Sequence, residues 1–217
     1  MKDQSTIKWR IAQSLELKWW KKYLSDKNIN EYLVWKAGYW DEMLFSIEKY
    51  IELPEHHDIL DAGCGPAGIF IALKRNSVVA VDPLLDEYVA NGLLDTSYFP
   101  WTTFVTNSLE NIEYTDKFDY IFCLNAINHV NDLEKCYDNL VRALKPGGTL
   151  IISTDAHRHG WLKKIFQWLP GDMLHPVQLD IREYNEHLTK RGLTLTQTIL
   201  YKKEPIFDYY ITLAKKG

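Results

Sequence analysis

The residues with most chemical meaning lie between Asp58 and Asp82. Asp58-Ile59-Leu60-Asp61 is a short apolar run that opens into Gly63-Cys64-Gly65-Pro66-Ala67-Gly68. A strand feeding a glycine turn at a helix start suits a nucleotide. Glycine allows a sharp turn and close approach of a ligand, and free N–H groups at a helix start favour negative charge. The next apolar run, Ser77-Val78-Val79-Ala80-Val81, ends on Asp82, 19 residues beyond Gly63. A carboxylate there can accept hydrogen bonds from both hydroxyls of a ribose. Asp61, two residues before the first glycine, suits a ligand with a cationic end and no phosphate.

Three further groups of side chains have chemical potential. Asn125, Asn128 and His129 follow an apolar run that ends at Leu124. Imidazole is the side chain suited to proton transfer near neutral pH, and His129 has two readings, a general base or a side chain that orders the turn. Asp155, His157, His159 and His175 form the second group. Asp155-x-His157-x-His159 would put three side chains on one face of an extended chain, as ligands of a metal could be. No Cys or Glu completes a known metal spacing, so we expect no metal here. The third group is aromatic: five of the eight tryptophans fall within the first forty residues, Trp9, Trp19, Trp20, Trp35 and Trp40. Most of them are expected in a core. An aromatic face can also stack on a sulfonium as a cation–π contact, and Lys36 lies close by in sequence.

The elements that must position these residues follow from periodicity. Thr6–Leu24 has helical spacing through Ile7, Ile11, Leu15 and Trp19, and Asn28–Asn30 is a polar break. A second helical face carries Trp40, Met43, Leu44, Ile47, Tyr50 and Ile51, with Asp41 as a cap and Pro54 as the stop. Beyond His57, short β-branched runs alternate with helices: strands end at Asp61, Val81, Val105, Leu124 and Ser153. Helices are expected over Ile69–Lys74, Leu84–Ala90 and Asp132–Leu144, and Lys145-Pro146-Gly147-Gly148 is a turn. This grammar predicts a parallel sheet with helices on both faces. After a helix at Ile181–Lys190, the strands Leu193–Tyr201 and Ile206–Ala214 are separated only by Lys202–Pro205. That gap is too short for a helical crossover, so the pair is antiparallel.

Composition narrows the function classes. With 46% hydrophobic residues the chain has ample material for a core, which excludes disorder as its main state. Lys+Arg 25 against Asp+Glu 29 gives a net charge of -4, so no basic excess points to nucleic acid. No apolar stretch reaches membrane-spanning length, and Met1–Arg10 lacks the apolar core of a secretory signal. Cys64, Cys123 and Cys136 build neither a disulfide framework nor a zinc spacing, so a cytoplasmic location is expected.

With these elements in place, the sequence resembles the class I S-adenosylmethionine-dependent methyltransferases over about residues 55–217. Ile59–Gly68 matches the first motif of that family and Val79-Ala80-Val81-Asp82 the second. Phe118–Asn125, with Asn128-His129-Val130 after it, matches the fourth-strand motif, and Leu144–Thr149 the turn before strand five. The resemblance implies a doubly wound, mostly parallel seven-stranded α/β sheet with a C-terminal antiparallel hairpin, a class I methyltransferase-like Rossmann fold. It implies an N-terminal helical lid over 1–54, a methyltransferase domain over 55–217 and a cap insertion at about 155–178. It implies S-adenosyl-L-methionine as methyl donor and S-adenosyl-L-homocysteine as product. Carried onto this sequence, the donor site would comprise Asp61, Gly63, Cys64, Gly65, Asp82, Pro83, Ser108, Leu109 and Asn125, with Tyr39 and Trp40 from the lid. At the adenine loop the sequence departs from the family pattern: Asn107-Ser108-Leu109 leaves the register open, and Ala67 replaces a motif glycine. His129, His157 and His159 are the candidates for catalysis. The expected partner is a small-molecule acceptor, with no nucleic acid and no membrane. The alternatives are a nicotinamide-dependent oxidoreductase, whose glycine pattern Gly63–Gly68 also satisfies, and a non-catalytic S-adenosylmethionine-binding protein.

Overall fold

The computed structural model describes residues 2–157, 179–203 and 207–217. Seven strands form one sheet in the order β3-β2-β1-β4-β5-β7-β6. They are β1 (Asp58–Ala62), β2 (Ser77–Asp82), β3 (Thr102–Thr106), β4 (Phe118–Leu124), β5 (Leu144–His157), β6 (Leu193–Lys203) and β7 (Phe207–Lys216). The first five are parallel. β7 runs antiparallel to both β5 and β6 and is the single reversed strand. This is the Rossmann-like architecture of class I methyltransferases, hairpin included.

The inner strands β1, β2 and β4 are largely buried on both faces, and their side chains alternate between two cores. Ile59, Val78, Ala80, Phe122 and Ile151 join one buried cluster. Their neighbours Leu60, Val79, Val81, Cys123 and Ile152 join the other. Such two-sided burial is why these strands read as continuous apolar runs. The second cluster lies under α4 (Leu133–Ala143) and α5 (Ile181–Thr189). The first lies under α1 (Lys2–Leu24), α2 (Ile29–Ile47) and α3 (Leu85–Ala90).

Several element expectations change. Asn28 caps α2, accepting from the N–H groups of Asn30 and Glu31. Asp41 therefore sits inside the helix and caps nothing, because an N-cap must precede the first helical residue. The helix expected at Ile69–Lys74 is absent. Two short 3₁₀ turns, Gly65–Ala67 and Ile69–Ile71, take its place. After the glycine turn the chain has too few residues left before Ser77 for a crossover helix. α2 fills the vacant place instead, burying Trp40, Met43 and Ile47 against that face of the sheet. Two indoles satisfy the carbonyls of the short turns: Trp40 Nε1 donates to Ala67 O at 3.0 Å and Trp101 Nε1 to Phe70 O at 2.8 Å.

Lys145–Gly148 is looped out of β5, since Leu144 pairs with Phe118 but Thr149 already pairs with Tyr120. Its lysine bridges Asp119 at 3.0 Å and Asp58 at 3.1 Å, at the starts of β4 and β1. That motif thus ties strands together at the end of the sheet opposite the glycine turn.

Candidate active site

The carboxyl ends of β1, β2 and β4 open into one cavity of about 150 Å³. From the sheet come Gly63, Cys64, Gly65, Ala67, Asp82, Pro83, Ser108, Leu109, Asn125 and His129. From the N-terminal helices come Trp9, Gln13, Glu16 and Trp20 of α1 and Lys36 and Trp40 of α2.

Each wall residue has a local reason for its place. Gly63 has φ +74, and a Cβ there would lie 2.3 Å from Ala126 Cβ, so only glycine fits between the two loops. Asp82 ends β2 at 6% exposure, with Oδ2 accepting Gly65 N–H and Oδ1 accepting Leu84 N–H, both at 2.9 Å. Each oxygen keeps a further lone pair for a ligand hydroxyl. Burial pushes the Asp82 carboxyl up to about 6, against the pull of those two N–H groups. Asn125 adopts φ 56, a region asparagine tolerates. Its Oδ1 accepts from Ser153 Oγ at 2.8 Å, and its amide NH₂ is the group left to offer a ligand.

In the loop after β3, Ser108 and Leu109 line the cavity, as does Glu110, whereas Asn107 does not. Asn139 of α4 holds this loop, donating to Leu109 O and Glu110 O at 2.9 Å. Glu110 Oε1 in turn accepts Asn131 N–H at 2.8 Å, which ties the loops after β3 and β4 together.

Two expected donor residues lie elsewhere. Asp61 is not on the cavity wall. It is 2% exposed beneath the glycine turn, where Oδ2 accepts Phe70 N–H at 3.0 Å. A Cβ on Gly68 would meet that oxygen at 2.3 Å, so the motif's last glycine makes room for the carboxylate. Burial raises the Asp61 carboxyl to about 7, and the nearby Asp82 charge adds to the rise. Tyr39 also lies off the wall, stacked against Trp35 and edge-on to Trp40. His129 is on the wall. His157 ends β5 opposite Phe207. His159 and His175, with most of the expected cap at 155–178, lie outside the described residues. Among the described residues no group of three or more His, Cys, Asp or Glu could hold a metal.

Sequence reasoning missed the contribution of α1. Trp9, Gln13, Glu16 and Trp20 recur at spacings of four, three and four residues, one helical stripe. Glu16, the one acid on that stripe, was the available signal. Burial lifts its carboxyl to about 7, helped by the charge of Asp82, and Tyr88 Oη donates to it at 3.4 Å. Lys36 is the cation of the wall, with Nζ 4.4 Å from the ring centres of both Tyr39 and Trp40. Burial lowers its ammonium to about 8, against the attraction of Asp61.

A family model described as "Methyltransferase domain" matches residues 60–152. That span holds the glycine turn, Asp82, the loop after β3, Asn125 and His129. Residues 60–152 are thus similar to a methyltransferase domain, and the sheet around them has the class I methyltransferase fold. The "Ubiquinone biosynthesis O-methyltransferase" of Rickettsia bellii is 30% identical over 99 residues, 45% of this chain and 41% of the relative. The chain thus matches about two fifths of the length of such curated relatives. Among solved structures, Haemonchus contortus phosphoethanolamine N-methyltransferase 2 in complex with S-adenosyl-L-methionine superposes with TM-score 0.68 at 16% identity. The match covers 91% of this chain and 60% of that one. Burkholderia thailandensis 1,6-didemethyltoxoflavin-N1-methyltransferase, solved with its substrate and S-adenosylhomocysteine, gives 0.67 at 15% identity over 100% and 90%. At such identities these two structures speak for the fold alone.

Proposed function

We propose that the chain transfers a methyl group from S-adenosyl-L-methionine to a hydroxyl oxygen of a small, largely apolar acceptor. The observation that carries the donor is Asp82. Its carboxylate is pinned by two backbone N–H groups and still faces the cavity beside the glycine turn. The cavity fits that donor in a second respect. Gln13 Oε1, on the wall, is buried without a partner and can accept a hydrogen bond from a bound ligand. The wall also has three carboxylates, Glu16, Asp82 and Glu110, against Lys36. That balance suits a cationic ligand and repels the pyrophosphate of a nicotinamide dinucleotide.

In this reading the donor supplies an electrophilic methyl on a sulfonium, and the protein aligns and desolvates. Asp82 accepts the ribose hydroxyls, and Ser108 and Leu109 border the adenine. Gly63 and Gly65 let the methionine moiety approach, and Lys36 meets its carboxylate. Asp61 acts from behind, holding the turn through Phe70 N–H. Trp9, Trp20 and Trp40 exclude water. The oxygen acceptor is favoured by the O-methyltransferase relatives and by His129, an imidazole on the wall able to take the hydroxyl proton. His157 and His159 would border the acceptor.

Calorimetric titration tests the donor. S-adenosylhomocysteine should bind and NAD should not; NAD binding alone would reject the proposal. Turnover with phenolic acceptors against amine acceptors, for the wild type and His129→Gln, tests the second half. Unchanged phenol methylation in the variant would remove His129 as the base.

A further inference from the structure

The α1 face opposite the cavity has a character of its own. Trp9, Gln13, Glu16 and Trp20 look inward. Arg10, Ile11, Ser14, Lys18, Trp19, Lys21 and Lys22 are exposed. From Arg10 to Lys22 this helix holds four cations and a single acid, and the acid is Glu16, turned into the cavity. From Arg10 to Lys22 the exposed charges of this helix are therefore all cationic, in a chain whose net charge is -4. Large apolar groups stand among the cations: Trp19 is 52% exposed and Ile11 42%. On the adjoining part of α2, Trp35 is 56% and Val34 75% exposed. An aromatic row links the two indoles. Trp19 stacks on Tyr23 at 4.9 Å, Tyr23 meets Tyr32 at 6.0 Å, and Tyr32 meets Trp35 at 5.8 Å. Lys27 lies over Tyr23 at 4.3 Å. Asp26, between the helices, and Glu31, in the first turn of α2, are the exposed acids from Arg10 to Trp35.

We infer that this surface docks the protein on an anionic lipid bilayer, with α1 lying in the plane of the interface. Tryptophan with lysine or arginine on one helix face is the chemistry of interfacial helices: the indole ring suits the headgroup boundary and the cations are drawn to acidic headgroups. The concavities of the surface lie at its flanks, beside Arg10 and Ser14 and beside Lys21 and Lys27, and the exposed Ile11, Trp19, Val34 and Trp35 line neither. Its exposed aliphatic residues, Ile11 and Val34, gain nothing from the stacking that holds a nucleic-acid strand, but they gain from burial among acyl chains. No helix among the described residues is long and apolar enough to cross a membrane, so the contact is superficial. Because the other face of α1 is a wall of the cavity, docking places that wall against the phase in which an apolar acceptor concentrates.

Sedimentation of the full chain with vesicles tests this. Vesicles of phosphatidylcholine mixed with phosphatidylglycerol should carry the protein down, pure phosphatidylcholine should not, and added salt should release it. Replacing Lys18, Lys21 and Lys22 together by Gln should lower the partition about a hundredfold. Trp19→Ser with Trp35→Ser should shorten retention, with circular dichroism confirming that both variants are folded. Protein left in the supernatant with acidic vesicles, equal binding to neutral ones, or an undiminished lysine variant would overturn the inference. So would a dimer in light scattering that the tryptophan variant dissociates, which gives the patch to a second copy, or preference for oligouridylate over vesicles. S-adenosylhomocysteine titration is read separately, so a failed donor site and a failed docking surface give different results.

Discussion

At Asp82 one carboxylate has two duties. It closes the glycine turn by accepting Gly65 N–H and Leu84 N–H, and it faces the proposed ribose position. Removing it with alanine would strand two backbone donors, so loss of binding would be confounded with loss of the turn. Asparagine keeps the size and one acceptor. Asp82→Asn is expected to weaken donor binding by about 1.5–3 kcal/mol, the range for hydrogen bonds to a charged group, and to lower Tm less than alanine would, since it strands one backbone donor and not two. Calorimetry beside thermal melts separates the two effects, and full affinity in the variant would remove Asp82 as the ribose ligand. Gly63→Ala is expected to act on the backbone instead. A Cβ 2.3 Å from Ala126, at φ +74, forces the loops after β1 and β4 apart. Strain of about 1–3 kcal/mol should appear in chemical denaturation, together with loss of donor binding. A variant as stable as wild type would contradict the close packing of these loops.

Among the elements, α2 departs furthest from an accessory lid. It occupies the place left by the missing crossover helix, and its Trp40 is both core and cavity wall. Trp40→Phe removes the bond to Ala67 O and one ring of the buried indole, and is expected to cost about 1–3 kcal/mol. Trp40→Ala empties a larger buried volume and is expected to cost about 3–5 kcal/mol. Denaturant midpoints of the two variants measure the difference. By the same reasoning a chain beginning at residue 55 should fail to fold, because Ile59, Val78 and Phe122 would lose their cover. A folded, donor-binding fragment 55–217 in circular dichroism and calorimetry would show that α1 and α2 are only a lid.

Across the whole molecule, Glu16, Asp61 and Asp82 share one region, and each is shifted toward the neutral form. In the unfolded chain such groups release their protons near pH 4 (about 3.9 for Asp and 4.3 for Glu). Between about pH 4 and 7 the folded, donor-free chain therefore binds more protons than the unfolded one. Stability is then greatest at the acid end of that window and falls as pH rises through the folded values. Melting should give a higher Tm at about pH 5 than at about pH 8. A cationic donor reverses the preference by favouring the ionised carboxylates, so its binding should release protons and tighten from acid to neutral pH. Above about 8 the Lys36 ammonium loses its charge, and affinity should fall again. Titrations in buffers of different ionisation enthalpy count the protons. Proton uptake on binding, or affinity independent of pH, would contradict this electrostatic picture.

What the sequence by itself determined is local or strictly periodic. The strand runs, the glycine turn, Asp82 at a strand end and the short gap before the last strand each follow from neighbouring residues. They yielded the parallel sheet, the terminal hairpin and most of the sheet-side wall. Tertiary structure decided what depends on distant partners. The identity of Asp61 and its place before the turn are visible in the sequence; its burial under Phe70 rather than on the wall is not. Ile69–Lys74 has helical composition, but its short connection and the arrival of α2 leave it only a 3₁₀ turn. Asp41 looks like a cap until Asn28, a better-placed acceptor, starts the helix thirteen residues earlier. Glu16 and Gln13 become cavity residues only because α1 packs across the ends of strands more than forty positions away. Periodicity reports which residues share a helix face, and only packing decides which face turns inward.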